Sequence, residues 1–264
     1  MHRPFSRSLL TGKGDRAMAG HSKFKNIMHR KGAADKKKAA LFTKLAREIQ
    51  VAAKTGADPS SNARLARAIA AARAESMPKD NIQRAIDKAS GAGADDLVEM
   101  RYEGFGPGGV GVIVEAATDN RNRTASEVRA TFARFSGNLG ETGSVSFLWD
   151  QVGEVRYPLA AAGEDAMLEA AIEAGADDCV TEEGEHVVLC GVPALAEVQT
   201  ALEARFKALA SAKIVWRPKT TIPIEGEPAS ALMKLLSALD DLDDVLNVYA
   251  NAEMTDEGLV GLEA

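Results

Sequence analysis

Between Gly20 and Ala39 the chain reads GHSKFKNIMHRKGAADKKKA, with seven lysines or arginines, two histidines and a single carboxylate, Asp35. Cations packed this closely repel one another, so they need water or a polyanion beside them. Nucleic acid is the commonest polyanion in a cell, and neutralising its phosphates is the main sequence-independent term in binding it. Lys23, Lys25, Arg30, Lys31, Lys36, Lys37 and Lys38, followed by Lys44 and Arg47, are the candidate phosphate contacts. Phe24 sits among them, and an aromatic ring can stack on an unpaired base. On charge alone, a solvated basic arm fits these residues as well.

Other groups of residues suggest other chemistry, and most lack a necessary part. Gly104-Phe105-Gly106-Pro107-Gly108-Gly109 satisfies the GxGxxG spacing of a dinucleotide loop. Such a loop must open a helix, whose N-terminus then meets the pyrophosphate. Here a strand pattern follows, and Pro107 interrupts the loop. A kinase glycine loop does lie between strands but needs a lysine soon after it. No lysine occurs between Lys88 and Lys207, so a hairpin turn is the expected role. HExxH, GxSxG and Walker A sequences do not occur. His21 and His29 lie among lysines, which disfavour a bound cation. Asp240, Asp241, Asp243 and Asp244 could seat a hard cation, although a solvated helix end is the commoner role. Cys179 and Cys190 form no CxxC pair and read as two buried thiols in a reducing compartment. Arg121 and Arg123, at a helix start in DNRNRT, make either a phosphate seat or a capped helix end with its arginines in solvent. We expect no cofactor, no metal site and no catalytic residue.

The charge is divided along the chain. Residues 1–94 carry 20 Lys/Arg against 7 Asp/Glu, and residues 95–264 carry 12 against 31. A net charge of −6 hides an anion-seeking head on an acidic body. The 264 residues, 45% of them apolar, suffice for two or three cores, and no run has the length of a membrane span. Residues 1–17 are rich in arginine and serine, as in a transit peptide. Pro4 and Gly12-Lys13-Gly14 break any helix there, so the favoured reading is an upstream start codon, with Met18 as the true start. The expected compartment is the cytoplasm, or the mitochondrion if that extension is a real transit peptide.

These residues must be positioned by regular elements. Leu41, Phe42, Leu45, Ile49 and Ala52 recur at helical spacing. A second helix follows Ser60-Ser61-Asn62, and a third opens at Pro78. Beyond Gly93 the period becomes that of strands: Val98–Tyr102, Val110–Ala117 and Val145–Trp149, with a helix over Asn122–Phe135. Thr124 and Glu127 of that helix have the spacing of a capping box. Val152–Arg217 reads strand, helix, strand, strand, helix, strand, the ferredoxin-like order. Strand Thr221–Ile224, helix Ala229–Leu239 and strand Val245–Ala250 complete the pattern. The expected class is α+β, an N-terminal three-helix bundle followed by two α+β domains, the ferredoxin-like one inserted in the other. Its parts are an extension 1–17, a basic helical domain 18–94, an α+β domain of 95–149 plus 218–264, and an insert 150–217.

The segments GHSKFKNIMHRKGAADKKKA, LFTKLAREI, MPKDNIQRAI, YEGFGPGGVGVIVEAATDNRNRTASEVR and GNLGETGSVSF resemble the YebC/PmpR family, which includes the mitochondrial translational activator of cytochrome oxidase. The resemblance runs from Met18 to the C-terminus and is densest over Gly20–Phe147. Phe24 stands where the family usually has tryptophan, and Ser76 where asparagine is common. The resemblance implies a non-enzymatic, DNA-binding transcriptional regulator. Its alternative is a ribosome-associated translation factor that binds ribosomal or transfer RNA and assists passage through proline-rich sequences. Gly104, Gly106, Gly108 and Gly109, with Arg121 and Arg123, are a second candidate functional region, where small residues permit close approach.

Overall fold

The computed structural model describes residues 34–90, 97–207 and 209–253, with side chains in the first helix from Lys38. Helices α1 (Ala34–Ala53), α2 (Ala63–Ala74) and α3 (Lys79–Ser90) form a small bundle. Leu45, Ile49 and Ala52 of α1 pack against Leu65, Ile69 and Ala72 of α2 and Ile82, Ala85 and Ile86 of α3. Asn62 makes the first connection. Its Oδ1 accepts from the Leu65 N–H at 3.0 Å, and its amide donates to the carbonyls of Ala52 (2.8 Å) and Gly56 (2.7 Å). One side chain therefore starts α2 and satisfies the end of α1. At the end of α2 the Met77 N–H reaches back to the Ala72 carbonyl at 2.9 Å, with Ser76 at φ 60°. That left-handed position favours glycine or asparagine.

The body begins with β1 (Val98–Phe105), β2 (Gly111–Thr118), α4 (Arg121–Arg134) and β3 (Asn138–Leu139). Then come β4 (Trp149–Pro158), α5 (Glu164–Glu173), β5 (Asp178–Glu182), β6 (Glu185–Gly191), α6 (Leu195–Phe206) and β7 (Ser211–Pro218). The chain returns with β8 (Ile222–Pro223), α7 (Gly226–Asp240), β9 (Val245–Ala250) and β10 (Ala252–Glu253). Two four-stranded antiparallel sheets result, ordered β3-β1-β2-β9 and β5-β6-β4-β7, with β8 and β10 paired in parallel. Strand β2 pairs with β9, Val112 opposite Ala250, so the first sheet is completed only after the chain has built the second. The α+β class and the inserted ferredoxin-like unit expected from the sequence are what the molecule has.

Strand β2 is buried on both faces, which explains its nearly unbroken apolar run. Val112, Val114 and Ala116 point to the core under α4 and α7, with Phe132, Leu232 and Leu235. Ile113 and Ala117 point the other way. Ile113 and Tyr249 meet Trp149 and Val215 of the insert, while Ala117 and Leu97 meet Val51 of the helical bundle. The outer face of one sheet thus carries both other parts of the molecule. Glu115 interrupts the apolar run because it is used there: it accepts from Trp216 Nε1 at 2.8 Å and from Asn247 Nδ2 at 3.2 Å.

Two local expectations are corrected. Val145–Trp149 is not a separate strand; Ser146–Leu148 is a 3₁₀ turn, and Trp149 opens β4. The backbone N–H groups of Val145 (3.0 Å) and Ser146 (2.8 Å) donate to Oε2 of the buried Glu103, 42 and 43 residues earlier, and so are spent outside any ladder. Thr124 does not cap α4. Asn120 does, its side chain accepting from the Arg123 N–H at 3.1 Å, while Thr124 is buried one turn inside.

Candidate nucleic-acid interface

Of the candidate phosphate contacts, Lys23, Phe24, Lys25, Arg30 and Lys31 lie outside the described residues. Lys36 and Lys37 belong to the first turn of α1, where only the backbone is described. Lys38 is exposed, its ammonium 5.6 Å from the centre of the Phe42 ring. Lys44 and Arg47 turn inward. Lys44 Nζ lies 2.8 Å from Asp240 Oδ1 and also donates to the Asp240 carbonyl. Arg47 lies 2.6 Å from Asp244 Oδ1 and donates to the Ala117 carbonyl at 2.7 Å. Helix α1 therefore has two inward stripes. Leu45, Ile49 and Ala52 face the bundle; Lys44, Arg47 and Val51 face the first sheet. The second stripe is mostly charged, so apolar periodicity missed it. Its signal lay in the Asp240–Asp244 run, whose carboxylates at 240 and 244 are the counter-charges of the head.

Asp244 is the centre of this junction. Only 2% exposed, it takes Arg47 on one oxygen and, on the other, Arg123 (3.0 Å), Thr124 Oγ1 (2.6 Å) and Thr118 Oγ1 (3.1 Å). Burial alone would push its carboxyl up. The Thr124 and Arg123 hydrogen bonds, the Arg47 charge and the Thr118 hydroxyl outweigh that and hold it below the usual aspartate range. Arg123 is ion-paired a second time, to Asp119 at 2.7 Å. Arg121, on the first turn of α4, is exposed. DNRNRT is thus a capped helix start whose second arginine closes a junction between the head and the body.

The glycine region is a hairpin turn, as the sequence reading favoured. Pro107–Gly109 form a single 3₁₀ turn between β1 and β2. Glycine is required here by close packing. A Cβ on Gly104 would lie 2.5 Å from the Asn138 carbonyl oxygen, and one on Gly106 would lie 2.8 Å from Leu232 Cδ1. Gly108 and Gly109 adopt φ 74° and 75° at the exposed tip. The structure does not bring this loop together with Arg121 and Arg123. They lie at opposite ends of β2, ~23 Å apart along an eight-residue strand at about 3.3 Å per residue.

Other reactive groups have structural surroundings. Burial pushes the Cys190 thiol up to about 11, with Asp177 adding to it, so the thiol stays protonated at neutral pH. Among the described residues no group of three or more His, Cys, Asp or Glu is arranged to hold a metal ion. No helix among them is long and apolar enough to cross a membrane. Arg73, Lys79, Arg84 and Lys88 are exposed on α2 and α3 and extend the positive skin of the head.

A basic helical head, pinned by ion pairs to a split sheet domain that carries a ferredoxin-like insert, defines a three-part α+β class. Residues 22–92 match the family model described as the TACO1/YebC protein N-terminal domain, and residues 97–252 match its second and third domain. The chain belongs to the TACO1/YebC family. It is 54% identical over 253 residues to a protein of Maricaulis maris named a probable transcriptional regulatory protein, covering 93% of this chain and all of the relative. Among solved structures, a conserved hypothetical protein from Aquifex aeolicus superposes with a TM-score of 0.77 at 43% identity, over 86% of this chain and 94% of that one.

Proposed function

We propose that the chain is a non-enzymatic, nucleic-acid-binding regulator of gene expression that acts through its basic head, as a DNA-binding regulator of transcription. The charge division carries this reading: residues 1–94, the extension and the head together, have a net charge of +13, and the body, residues 95–264, one of −19. The name given to the Maricaulis relative supports the transcriptional assignment. Lys23, Lys25, Arg30, Lys31, Lys36, Lys37 and Lys38 are its phosphate contacts, with Phe24 beside them. Lys44 and Arg47, already neutralised by Asp240 and Asp244, contribute by holding the head in place. The test is binding of a duplex and of an RNA over a salt series, for the wild type and for Lys36→Glu/Lys37→Glu/Lys38→Glu. The variant should bind more weakly, with a salt slope flatter by about 0.9 per lost duplex phosphate contact. An unchanged slope would remove this segment from the reading.

The composition of the head favours a second reading, a translation factor on the ribosome. Lysine and alanine dominate its basic segment, whereas duplex readout asks for Arg, Asn or Gln presented to base edges. Sedimentation with ribosomes from a DNase-treated lysate, lost in the triple variant, would make translation the primary role. Protein remaining at the top of the gradient would leave transcription.

A further inference from the structure

We infer that Arg67, on the helix of the head that packs against the insert, is a seat for a phosphoryl group. Where that group belongs to a nucleic-acid backbone, the seat rests on the nucleic-acid reading above and adds a contact outside the basic segment. Helix α2 reads ARLARAIAAARA, three arginines and no carboxylate. Leu65, Ile69 and Ala72 face the bundle, and the helix also packs against β7 of the insert. The Arg64 guanidinium is bonded to both carboxylate oxygens of Glu99 on β1, one of them at 3.0 Å, so that carboxylate is already taken. Arg67 follows about one turn later and is partly buried.

A comparison within the molecule sets Arg67 apart. The described lysines and arginines that are withdrawn from solvent are Lys44, Arg47, Arg67, Arg101, Arg156 and Arg217. Lys44 has Asp240, Arg47 has Asp244, Arg101 has Glu103, Arg156 has Glu154, and Arg217 has Glu154 and Glu182. Arg67 alone has neither an ion pair nor a hydrogen bond among the described residues. Taking a cation out of water costs free energy unless an opposite charge meets it. The balance of charge around Arg67 agrees with this. Burial, and then the positive charge of Arg64, push its guanidinium down, and no carboxylate offsets them. Glu99, Glu48 and Glu115 all act on Arg64 instead.

The missing counter-charge is therefore one that arrives from outside. A guanidinium fork bonds two oxygens of one anion, and phosphoryl oxygens match it. Arg64 adds to the seat. Its pair with Glu99 is exposed on both sides, at 49% and 53%, and such pairs are weak, so an anion on Arg67 also feels the Arg64 charge. The ordinary alternative is an arginine whose stem lies on apolar surface while its charge stays in water. The two roles differ in sign. A stem that packs stabilises the fold, whereas a desolvated cation without a partner destabilises it until its anion binds.

The experiment compares the full chain with Arg67→Met, which keeps an unbranched stem and removes the charge. Thermal unfolding is followed in chloride and in inorganic phosphate at equal ionic strength, and binding of a labelled duplex over a salt series. In chloride, Arg67→Met should unfold at the wild-type temperature or above it. It should bind the duplex about tenfold more weakly, with a salt slope flatter by about 0.9, and Arg67→Lys should restore the slope. That result assigns the phosphoryl group to a nucleic-acid backbone. If the slope is unchanged but phosphate raises the unfolding temperature of wild type and not of Arg67→Met, the seat takes a small phosphorylated molecule. If neither slope nor phosphate response differs between the two proteins, the inference is overturned, and a lower unfolding temperature of Arg67→Met in chloride then assigns the residue to packing by its stem. The Lys36–Lys38 triple variant separates the two readings. Weaker binding by that variant beside an unaltered Arg67→Met overturns the seat and keeps the head. Weaker binding by Arg67→Met beside an unaltered triple variant does the reverse.

Discussion

The outer face of the first sheet holds its two neighbours by different physics. Toward the insert the contact is apolar and aromatic: Ile113, Trp149, Val215 and Tyr249 are all 5% exposed or less, and Trp149 meets Tyr249 edge-on at 6.4 Å. Toward the head the apolar part is small, with Val51 against Leu97 and Ala117, and polar contacts do the rest: the mostly buried pairs Lys44–Asp240 and Arg47–Asp244, the exposed pair Arg64–Glu99, and Lys54 Nζ on the Leu97 carbonyl at 2.7 Å. Apolar burial does not depend on protonation, whereas salt screens an exposed pair such as Arg64–Glu99 and acid neutralises the buried carboxylate of Asp244. The part of the molecule with a polyanion-seeking surface is thus also the part whose attachment responds to its ionic surroundings.

Substitutions can break each side of this comparison in turn. Trp149→Ala should have the largest effect, about 3–5 kcal/mol of global stability, measured by denaturant unfolding, because it opens a cavity in the insert interface. Asp244→Ala comes next, at about 2 kcal/mol. Breaking a fully buried pair costs about 3–5 kcal/mol, and Arg123, itself half in solvent, recovers part of that. Hydrogen exchange should show the loss in α1 and at the start of α4 before the insert opens. The same junction sets an acid response. The folded carboxyl of Asp244 is depressed, so its stabilisation is complete above about pH 4, the unfolded value, and is lost as pH falls through the folded one. Exchange in α1 should rise there while the insert stays protected. Head and insert opening together in acid would erase the distinction.

A smaller change sharpens the same contrast from inside the head. Ser76→Gly should stabilise the bundle by about 0.5–1 kcal/mol, since φ 60° is strained for serine and free for glycine. Ser76 is exposed at the end of α2 and is not one of the residues of the Asp244 junction. Thermal unfolding should therefore shift upward while the salt dependence of α1 exchange stays where it was. A change in that salt dependence would mean that bundle opening and undocking are one event.

Features set by local periodicity were legible in the sequence. Strand Val245–Ala250 has the expected ends, Asn62 stands where the second helix was expected to start, and the ferredoxin-like order follows from alternating periods alone. What escaped was decided by partners far along the chain. Val145 and Ser146 leave the strand pattern because Glu103 takes their N–H groups. Thr124 gives up the cap because Asp244, 120 residues later, takes its hydroxyl. Lys44 and Arg47 read as phosphate contacts because their carboxylates lie some two hundred residues on, in a cluster whose acidity suggested a cation. The position of Ser76 was visible only as a departure from a family pattern; its backbone angle supplies the reason, since asparagine tolerates the left-handed region better than serine.

The placement of β9 also has a consequence in time. Its partner β2 emerges from the ribosome with one edge unsatisfied, and Asn247 and Glu115, bonded to each other in the finished sheet, are 132 residues apart. At about 5–20 residues per second the open edge waits roughly 7–26 s, while the insert, a local unit, has already been completed. During synthesis the insert is a finished domain tethered to a half-built sheet, and the unpaired edge of β2 is the strand most exposed to capture by another chain.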